Sequence, residues 1–172
     1  MQPNQPSGRR VALAGSERSL PQQATDKGPV DGEQKAQVTI VLRSRTPDAD
    51  MDRIVQQASA EPVGSRQYLS REQLAELRGA EANDVARIEQ FATAHHLTVT
   101  HVDRAARTVS VEGSLKNLEQ AFGIELRKYE LKGHTFRARS GPIQLPQEIA
   151  PAVEGVLGLD TRPAADTRSA SK

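Results

Sequence analysis

The sequence predicts an α+β domain, an antiparallel sheet with helices on one face in the β-α-β-β-α-β order of ferredoxin-like sandwiches. Two pairs of short segments with apolar–polar alternation, 97–103 with 107–113 and 124–130 with 134–140, are each joined by a few residues, as in β-hairpins. One helical apolar stripe precedes the first hairpin, and a second separates the two hairpins. A β-branched segment, 37–45, supplies the first strand. This alternation of strands and helices is typical of the split βαβ motif.

The first 36 residues show neither strand nor helix periodicity. Residues 1–36 are rich in Gln, Pro, Gly, Ser and charge, which predicts an extended, poorly ordered lead-in. The domain core is expected over 37–160. Residues 161–172 are small and basic, as in a flexible linker.

Extra helices are expected between the first strand and the first hairpin. Residues 46–60 predict a helix with Pro47 in its first turn and three aspartates near its positive end. Ser70, followed three residues later by Gln73, forms a capping box that predicts a second helix start.

The two helices of the main pattern follow from apolar stripes. Residues 81–96 place Val85, Ile88 and Phe91 on one face, and 114–123 has Ser114 as a plausible N-cap with Gly123 as its end. Residues 146–158 predict a last short helix, interrupted by a proline.

Composition limits the classes of function. The chain has 172 residues, of which 36% are hydrophobic and 3% aromatic, so the core is modest and built mainly from Val, Leu, Ile and Ala. The net charge of +1 provides no field that steers the protein to nucleic acid or to an anionic membrane. The lack of cysteine excludes disulfides, thiolate zinc sites and thiol nucleophiles. The central hairpin has no aromatic side chain for stacking bases, which argues against RNA recognition by this topology.

Neither a membrane span nor a recognisable signal peptide is expected. No stretch approaches about 18 consecutive apolar residues. The apolar run after Arg9 and Arg10 is five residues long, "VALAG", which is shorter than the core of a signal peptide.

One face of the predicted sheet is left without helices. Alternation assigns to it mainly small polar and β-branched side chains: Thr39, Val41, Arg43, Thr98, Thr100, Val102, Thr108, Ser110, Glu112, Glu125, Arg127 and Tyr129. A flat, semi-polar face with few charges suits docking on another protein. The alternative is a solvent-exposed sheet in which threonine is present as a good strand former.

The sequence offers no motif for catalysis. No serine elbow, helical zinc pair or phosphate loop occurs, so the chain is expected to have no catalytic and no metal-binding residues. The four histidines, His95, His96, His101 and His134, are either surface groups or pH sensors, because histidine titrates between pH 5 and 8.

Several segments resemble the activation domain of the sedolisins, the serine-carboxyl peptidases. They are "ANDVARIEQFATAHHLTV", "RTVSVEGSLKNLEQAFGIELRKYE", "SGPIQLP" and "VLGLDTRP". The similarity covers about residues 37–163, and the lead-in is similar to that of the kumamolisin branch.

This resemblance implies an antiparallel α/β sandwich as in subtilisin-type prodomains. It implies a domain that assists folding of a subtilisin-like catalytic domain and covers its active site, in cis or in trans. It also implies a linker that runs along the cleft and is cut on acidification, and a secreted precursor. The family's catalytic residues and calcium site belong to the catalytic domain, so no cofactor is expected in this chain.

The resemblance and the face assignment together give candidate site residues. Residues expected to dock on the partner are Thr98, Thr100, Thr108, Ser110, Arg127, Tyr129, Arg137 and Arg139. Arg162, Pro163 and Arg168 are expected in or near the processed linker. Protonation of partner carboxylates paired with Arg127, Arg137 and Arg139 would then release the domain in acid.

Two other functions remain open from the sequence. The first is a stand-alone inhibitor that acts in trans on such a peptidase. The second is a small-molecule-binding regulatory module of ferredoxin-like fold, which would need a polar pocket near the helix starts.

Overall fold

The computed structural model describes residues 8–162, which contain nine strands, four α-helices and one 3-10 turn. In chain order they are β1 (Arg10–Ala12), β2 (Thr25–Pro29), β3 (Lys35–Leu42), α1 (Asp48–Ala60), α2 (Arg71–Arg78), α3 (Ala82–Ala94), β4 (Thr98–Asp103), β5 (Thr108–Ser114), α4 (Leu115–Phe122), β6 (Arg127–Leu131), β7 (His134–Ala138), β8 (Gln144–Pro146), the 3-10 turn (Ala150–Ala152) and β9 (Val153–Leu157).

The main sheet has four strands in the order β4-β5-β3-β9, and every neighbouring pair is antiparallel. With α3 between β3 and β4, and α4 between β5 and β9, the chain follows the β-α-β-β-α-β order. The predicted fold class is therefore confirmed.

The core lies between the inner face of this sheet and the two helices. Strand β3 contributes Val38, Ile40 and Leu42, all at most 1% exposed. Helices α3 and α4 contribute the apolar stripes read from the sequence, among them Ile88 and Phe122 with no exposed surface.

The ends of α4 form as the sequence predicts. The Ser114 hydroxyl accepts a hydrogen bond from the Asn117 amide at 3.2 Å. At the other end, Gly123 adopts a left-handed conformation with φ of 58°, which glycine tolerates without the steric cost of a Cβ. The helix therefore ends at Phe122. The chain that follows leads to β6, which does not belong to the main sheet.

The fourth strand of the main sheet differs from the prediction. The predicted helix over 146–158 is wrong, because Pro151 limits helical structure to the single 3-10 turn and the β-branched residues after it form β9. The second hairpin is confirmed as β6 and β7, but it lies in a separate three-stranded sheet, β2-β6-β7. The chain between α4 and β6 is anchored by the Leu126 amide, which donates to Glu119 Oε1 at 2.7 Å.

The lead-in is more ordered than its composition suggests. Strand β1 pairs with β8, and β2 pairs with β6. Leu13 is buried in the core, and the Ser16 hydroxyl donates to the Leu13 carbonyl at 2.6 Å. Within this segment β1 and β2 are therefore ordered strands, which composition does not predict because their pairing partners lie roughly 100 positions or more away in the chain. Residues 1–7 lie outside the described part.

Helices α1 and α2 are confirmed but lie at the periphery. The capping box of α2 is present in both directions, with Gln73 N donating to Ser70 Oγ at 3.1 Å and Ser70 N to Gln73 Oε1 at 2.9 Å. Met51 is the buried residue of α1, and α2 has none. None of the described helices combines the length and apolarity needed to span a membrane.

Candidate docking face and exit segment

The outer face of the four-stranded sheet is made of cross-strand rows. The central row is Leu157, Thr39, Ser110 and His101, taken across β9, β3, β5 and β4. A second row runs through Gly155, Val41, Thr108 and Asp103, and a third through Gln37, Glu112 and Thr98. We call these residues, together with Thr100, the open face.

A β-bulge in β4 changes which side chains lie on this face. The register shifts between Val99 and His101, so that His101 pairs with Ser110 and Val102 pairs with the inner residue Val109. Thr98 and Thr100 lie on the open face as predicted, but the assignment of Val102 to it is wrong. A bulge inserts one residue and inverts the alternation beyond it, which strict period-two reading does not anticipate.

Short polar contacts hold the hydroxyl groups of the open face in place. Gln37 Nε2 donates to Thr100 Oγ1 at 3.3 Å, and Thr100 Oγ1 donates to the Ser110 carbonyl at 3.3 Å. The hydroxyls of Thr39 and Ser110 are 3.5 Å apart. These contacts restrict the rotamers of the small side chains, so little side-chain entropy remains to be lost when a partner covers the face.

Charge and exposure fit a surface that can be desolvated. The ionisable side chains of the three rows are His101, Asp103 and Glu112. Thr98, Thr100 and His101 are exposed, whereas Thr39, Thr108 and Ser110 are half-buried by their neighbours. At the β9 edge, Leu157 exposes 60% of its surface. Three ionisable side chains among the residues of this face are few, and a low content of charged residues is one feature of the core of a protein interface.

Tyr129 and Arg127 do not belong to the open face. Tyr129 is buried beside Phe136 in the small core of the second sheet, with ring centroids 6.1 Å apart, and burial raises the pKa of its phenol. Arg127 donates to Asp26 Oδ2 at 2.8 Å and to Glu125 Oε1 at 3.0 Å. The sequence placed them on the open face because it assigned 124–130 to the main sheet.

Arg137 and Arg139 likewise have partners within the chain. Arg139 is 5% exposed, and its guanidinium donates to the carbonyls of Ser16 and Gly141. Arg137 donates to the carbonyls of Gly158 and Leu159. Burial lowers the pKa of both guanidinium groups, and for Arg139 nearby Arg18 adds to the effect. Pairing of these arginines with partner carboxylates stays a prediction, and it would require them to leave these bonds.

The segment after β9 stays attached to the domain as far as Arg162. The Thr161 amide donates to the Arg137 carbonyl at 2.8 Å, and Arg162 Nη1 donates to the Ser19 carbonyl at 3.0 Å. The expected boundary of the linker at residue 161 therefore falls inside an ordered segment. Pro163 and Arg168, the other predicted linker residues, lie outside the described part of the chain.

The four histidines lie at separate places. His95 is the C-cap of α3, half-buried against Phe91 with ring centroids 4.8 Å apart. His96 follows it with a positive φ of 57°, His101 lies on the open face, and His134 begins β7 in an exposed position. Within residues 8–162, no three histidine or carboxylate side chains come together in a way that could hold a metal ion.

His95 is expected to make the domain less stable in mild acid. Burial is the main cause that lowers its pKa below 6.5, followed by the charges of Arg10 and His96. The end of α3 favours a cation, but the lowered pKa means that burial outweighs this dipole. The unfolded chain then binds more protons than the native state, so the free energy of unfolding falls as pH drops from 6.5 through the lowered folded-state pKa.

His95→Gln should remove that part of the pH dependence. Between pH 7 and pH 5, we expect its urea-unfolding free energy to fall less steeply than that of the wild type, by less than about 1.4 kcal/mol per pH unit, the limit for one proton. His134→Gln, at an exposed position, is the matched control. Equal slopes for wild type and His95→Gln would contradict the assignment.

Sequence reasoning missed five contributors to the open face, which are Gln37, His101, Asp103, Gly155 and Leu157. Gln37 was read as the start of the first strand, and its position opposite Glu112 shows that it extends the face. Gly155 and Leu157 were assigned to a helix. The valines at 153 and 156 and the glycine at 158 were the available signal for a strand followed by a turn.

Comparison with known proteins gives a consistent result. The family described as Pro-kumamolisin, activation domain, matches residues 22–162. Kumamolisin of Bacillus sp. (strain MN-32) is 41% identical over 157 residues, which cover 91% of this chain and 28% of the relative. Tripeptidyl-peptidase sed5 of Aspergillus fumigatus (strain ATCC MYA-4609 / CBS 101355 / FGSC A1100 / Af293) is 24% identical over 165 residues, covering 87% of this chain and 28% of its own length. The chain thus spans less than a third of the length of these two relatives.

Proposed function

The chain belongs to the Pro-kumamolisin activation domain family, and from this premise we propose that its open face docks on the peptidase domain of the same precursor and keeps it inactive. It is the activation domain of a kumamolisin-like sedolisin precursor and is not itself catalytic. The observation that carries the docking proposal is the helix-free face of Thr, Ser and Val across four hydrogen-bonded strands.

The same surface supports a role in folding of the partner. The sheet face is already rigid when the partner packs on it. Only the partner segments then lose conformational entropy, so the entropic cost of bringing them together is lower. We therefore propose that the domain acts as an intramolecular chaperone as well as an inhibitor. The alternative of action in trans uses the same face and the same contacts.

The segment after β9 supports covering of the active site. It follows the strand at one edge of the open face and stays bound to the domain as far as Arg162. The point at which the chain leaves the domain is therefore fixed relative to the docked face. We propose that the residues after Arg162 enter the substrate cleft and are cut there in acid, and that the precursor is exported.

Acid release has a candidate on the open face itself. His101 lies in the central row and is exposed in the free domain. A partner that docks on the open face would cover this side chain. We therefore propose that His101 is a pH sensor of docking.

A mixing assay with mature kumamolisin tests the proposal. We expect the chain to inhibit cleavage of a peptide substrate with nanomolar affinity at pH 7 and to lose at least about 100-fold in affinity near pH 4, where histidines and carboxylates are protonated. The Ser110→Arg variant, which places a charge in the middle of the open face, is the control. Absence of inhibition at every pH would overturn the proposed function.

A further inference from the structure

Arg137 binds the departing chain through both its side chain and its backbone. Its Nε donates to the Leu159 carbonyl and its Nη2 to the Gly158 carbonyl, each at 2.9 Å. Its backbone amide donates to Thr161 Oγ1 at 2.8 Å, and its carbonyl accepts from the Thr161 amide at 2.8 Å. One residue of β7 thus makes hydrogen bonds to three residues of the segment 158–162, which we call the exit segment.

Further contacts hold the end of the exit segment. Arg162 Nη2 pairs with Asp160 Oδ2 at 2.9 Å, and its guanidinium lies 5.9 Å from the centre of the Phe136 ring. Leu159 is 2% exposed and belongs to the main core. Before it, Gly158 has a φ of 97°, and a Cβ at this position would lie 2.9 Å from the Gln37 carbonyl oxygen.

The exit segment joins the two sheets. It begins where β9 leaves the four-stranded sheet and ends against β7 of the three-stranded sheet. Chain segments at the end of a domain ordinarily fray, because few contacts hold them. Here the half-buried guanidinium of Arg137 donates to two carbonyls of the exit segment, although a carboxylate would be a stronger acceptor. The position and direction of the chain at Arg162 are fixed as a consequence.

We propose that Arg137 is a positioning residue, which fixes where and in which direction the chain leaves the domain at Arg162 and so raises the effective concentration at the partner's cleft of the residues that follow, which we call the tether. The inference rests on the proposed function. Its physical basis is effective concentration, because a tether that starts at a fixed point and direction meets its site more often than one that starts from a loose end.

A structural role alone makes a different prediction. If Arg137 only stabilised the domain, its loss would affect binding equally whether or not the tether is present. If it positions the tether, its loss would reduce the share of the affinity that residues 163–172 contribute. A double-mutant cycle between Arg137 and those residues separates the two roles.

The cycle compares chains that end at residue 172 with chains that end at residue 162, each as wild type, Arg137→Leu and Thr161→Val. Arg66→Leu is a matched control, because Arg66 also donates to two backbone carbonyls, those of Ser59 and Glu61, on a remote part of the chain. Inhibition of mature kumamolisin at pH 7 is measured for all eight chains.

Removing residues 163–172 should weaken inhibition at least about 10-fold in the wild type and in Arg66→Leu. In Arg137→Leu, the same truncation should cost about 3-fold or less, and Thr161→Val should give an intermediate ratio. Because the truncation effect is compared within each variant, a direct effect of Arg137→Leu on affinity cancels from the ratio. An equal truncation effect in Arg137→Leu and wild type would overturn the inference.

Failure of the proposed function can be distinguished from failure of this inference. If the wild type does not inhibit, amide hydrogen exchange of the free chain shows whether Arg137 holds the exit segment. The Thr161 amide should exchange at least about 10-fold faster in Arg137→Leu, while amides of β3 and β5 keep their protection. If exchange at Thr161 is the same in Arg137→Leu and the wild type, Arg137 does not hold the exit segment and the inference is overturned.

Discussion

Ser110→Arg is expected to raise the inhibition constant toward mature kumamolisin at least about 100-fold at pH 7, because it would place a charge in the middle of the docked face. Ser110 lies in the central row between Thr39 and His101. A guanidinium there must either be desolvated without a partner or hold the two surfaces apart. The free domain should lose about 1 kcal/mol or less, since the new side chain extends into solvent.

Thr93→Arg is the matched control for this substitution. Thr93 is exposed near the end of α3, on the helical layer opposite the open face. We expect it to inhibit as the wild type does. Equal inhibition by Ser110→Arg and the wild type would mean that the open face does not dock.

Phe122→Ala is expected to lower the free energy of unfolding by about 3–5 kcal/mol, which is a large part of the stability of a domain of this size. Phe122 has no exposed surface, and its ring meets that of Phe91 edge-on with centroids 5.8 Å apart. Removal of the ring leaves a cavity that the packed neighbours fill only in part. Urea unfolding followed by circular dichroism measures the loss.

Val55→Ala is the corresponding control, because Val55 is 55% exposed on α1. We expect it to change the free energy of unfolding by less than about 1 kcal/mol. A loss below about 1.5 kcal/mol for Phe122→Ala would contradict the central position of its ring in the core.

The elements that sequence patterns predicted correctly are those determined by local chemistry. The stripe of α3, the N-cap of α4 at Ser114 and the capping box at Ser70 each depend on residues within one or two helical turns. The hairpin of β4 and β5 is similarly local. Periodicity and capping report such features because the interactions that form them are close in sequence.

The elements that the sequence did not predict depend on distant partners. Strand β9 is read as a helix until β3 is known to lie beside it, with Val156 opposite Ile40. The strand β2 pairs with β6, and Asp26 faces Tyr129 across that pair. Composition alone marks both segments as turn-rich or ambiguous, and tertiary pairing overrides local propensity.

The candidate site was predicted in part. Alternation along the strands was sufficient to place Thr98, Thr108 and Ser110 on one face. It could not locate the bulge that brings His101 there, because a bulge leaves no clear signal in these residue types. The roles of Arg137 and Arg139 depend on which carbonyls fold back toward them, and nothing in their own sequence neighbourhood indicates this.

Cysteine accessibility tests docking of the open face most directly, because the chain has no cysteine of its own. Ser110→Cys and Thr93→Cys are each alkylated alone and with excess kumamolisin whose nucleophilic serine is replaced by alanine, at pH 7. We predict that the peptidase slows alkylation of Ser110→Cys at least about 10-fold and leaves Thr93→Cys unchanged. Protection of Thr93→Cys with Ser110→Cys still reacting at its free rate would contradict the account.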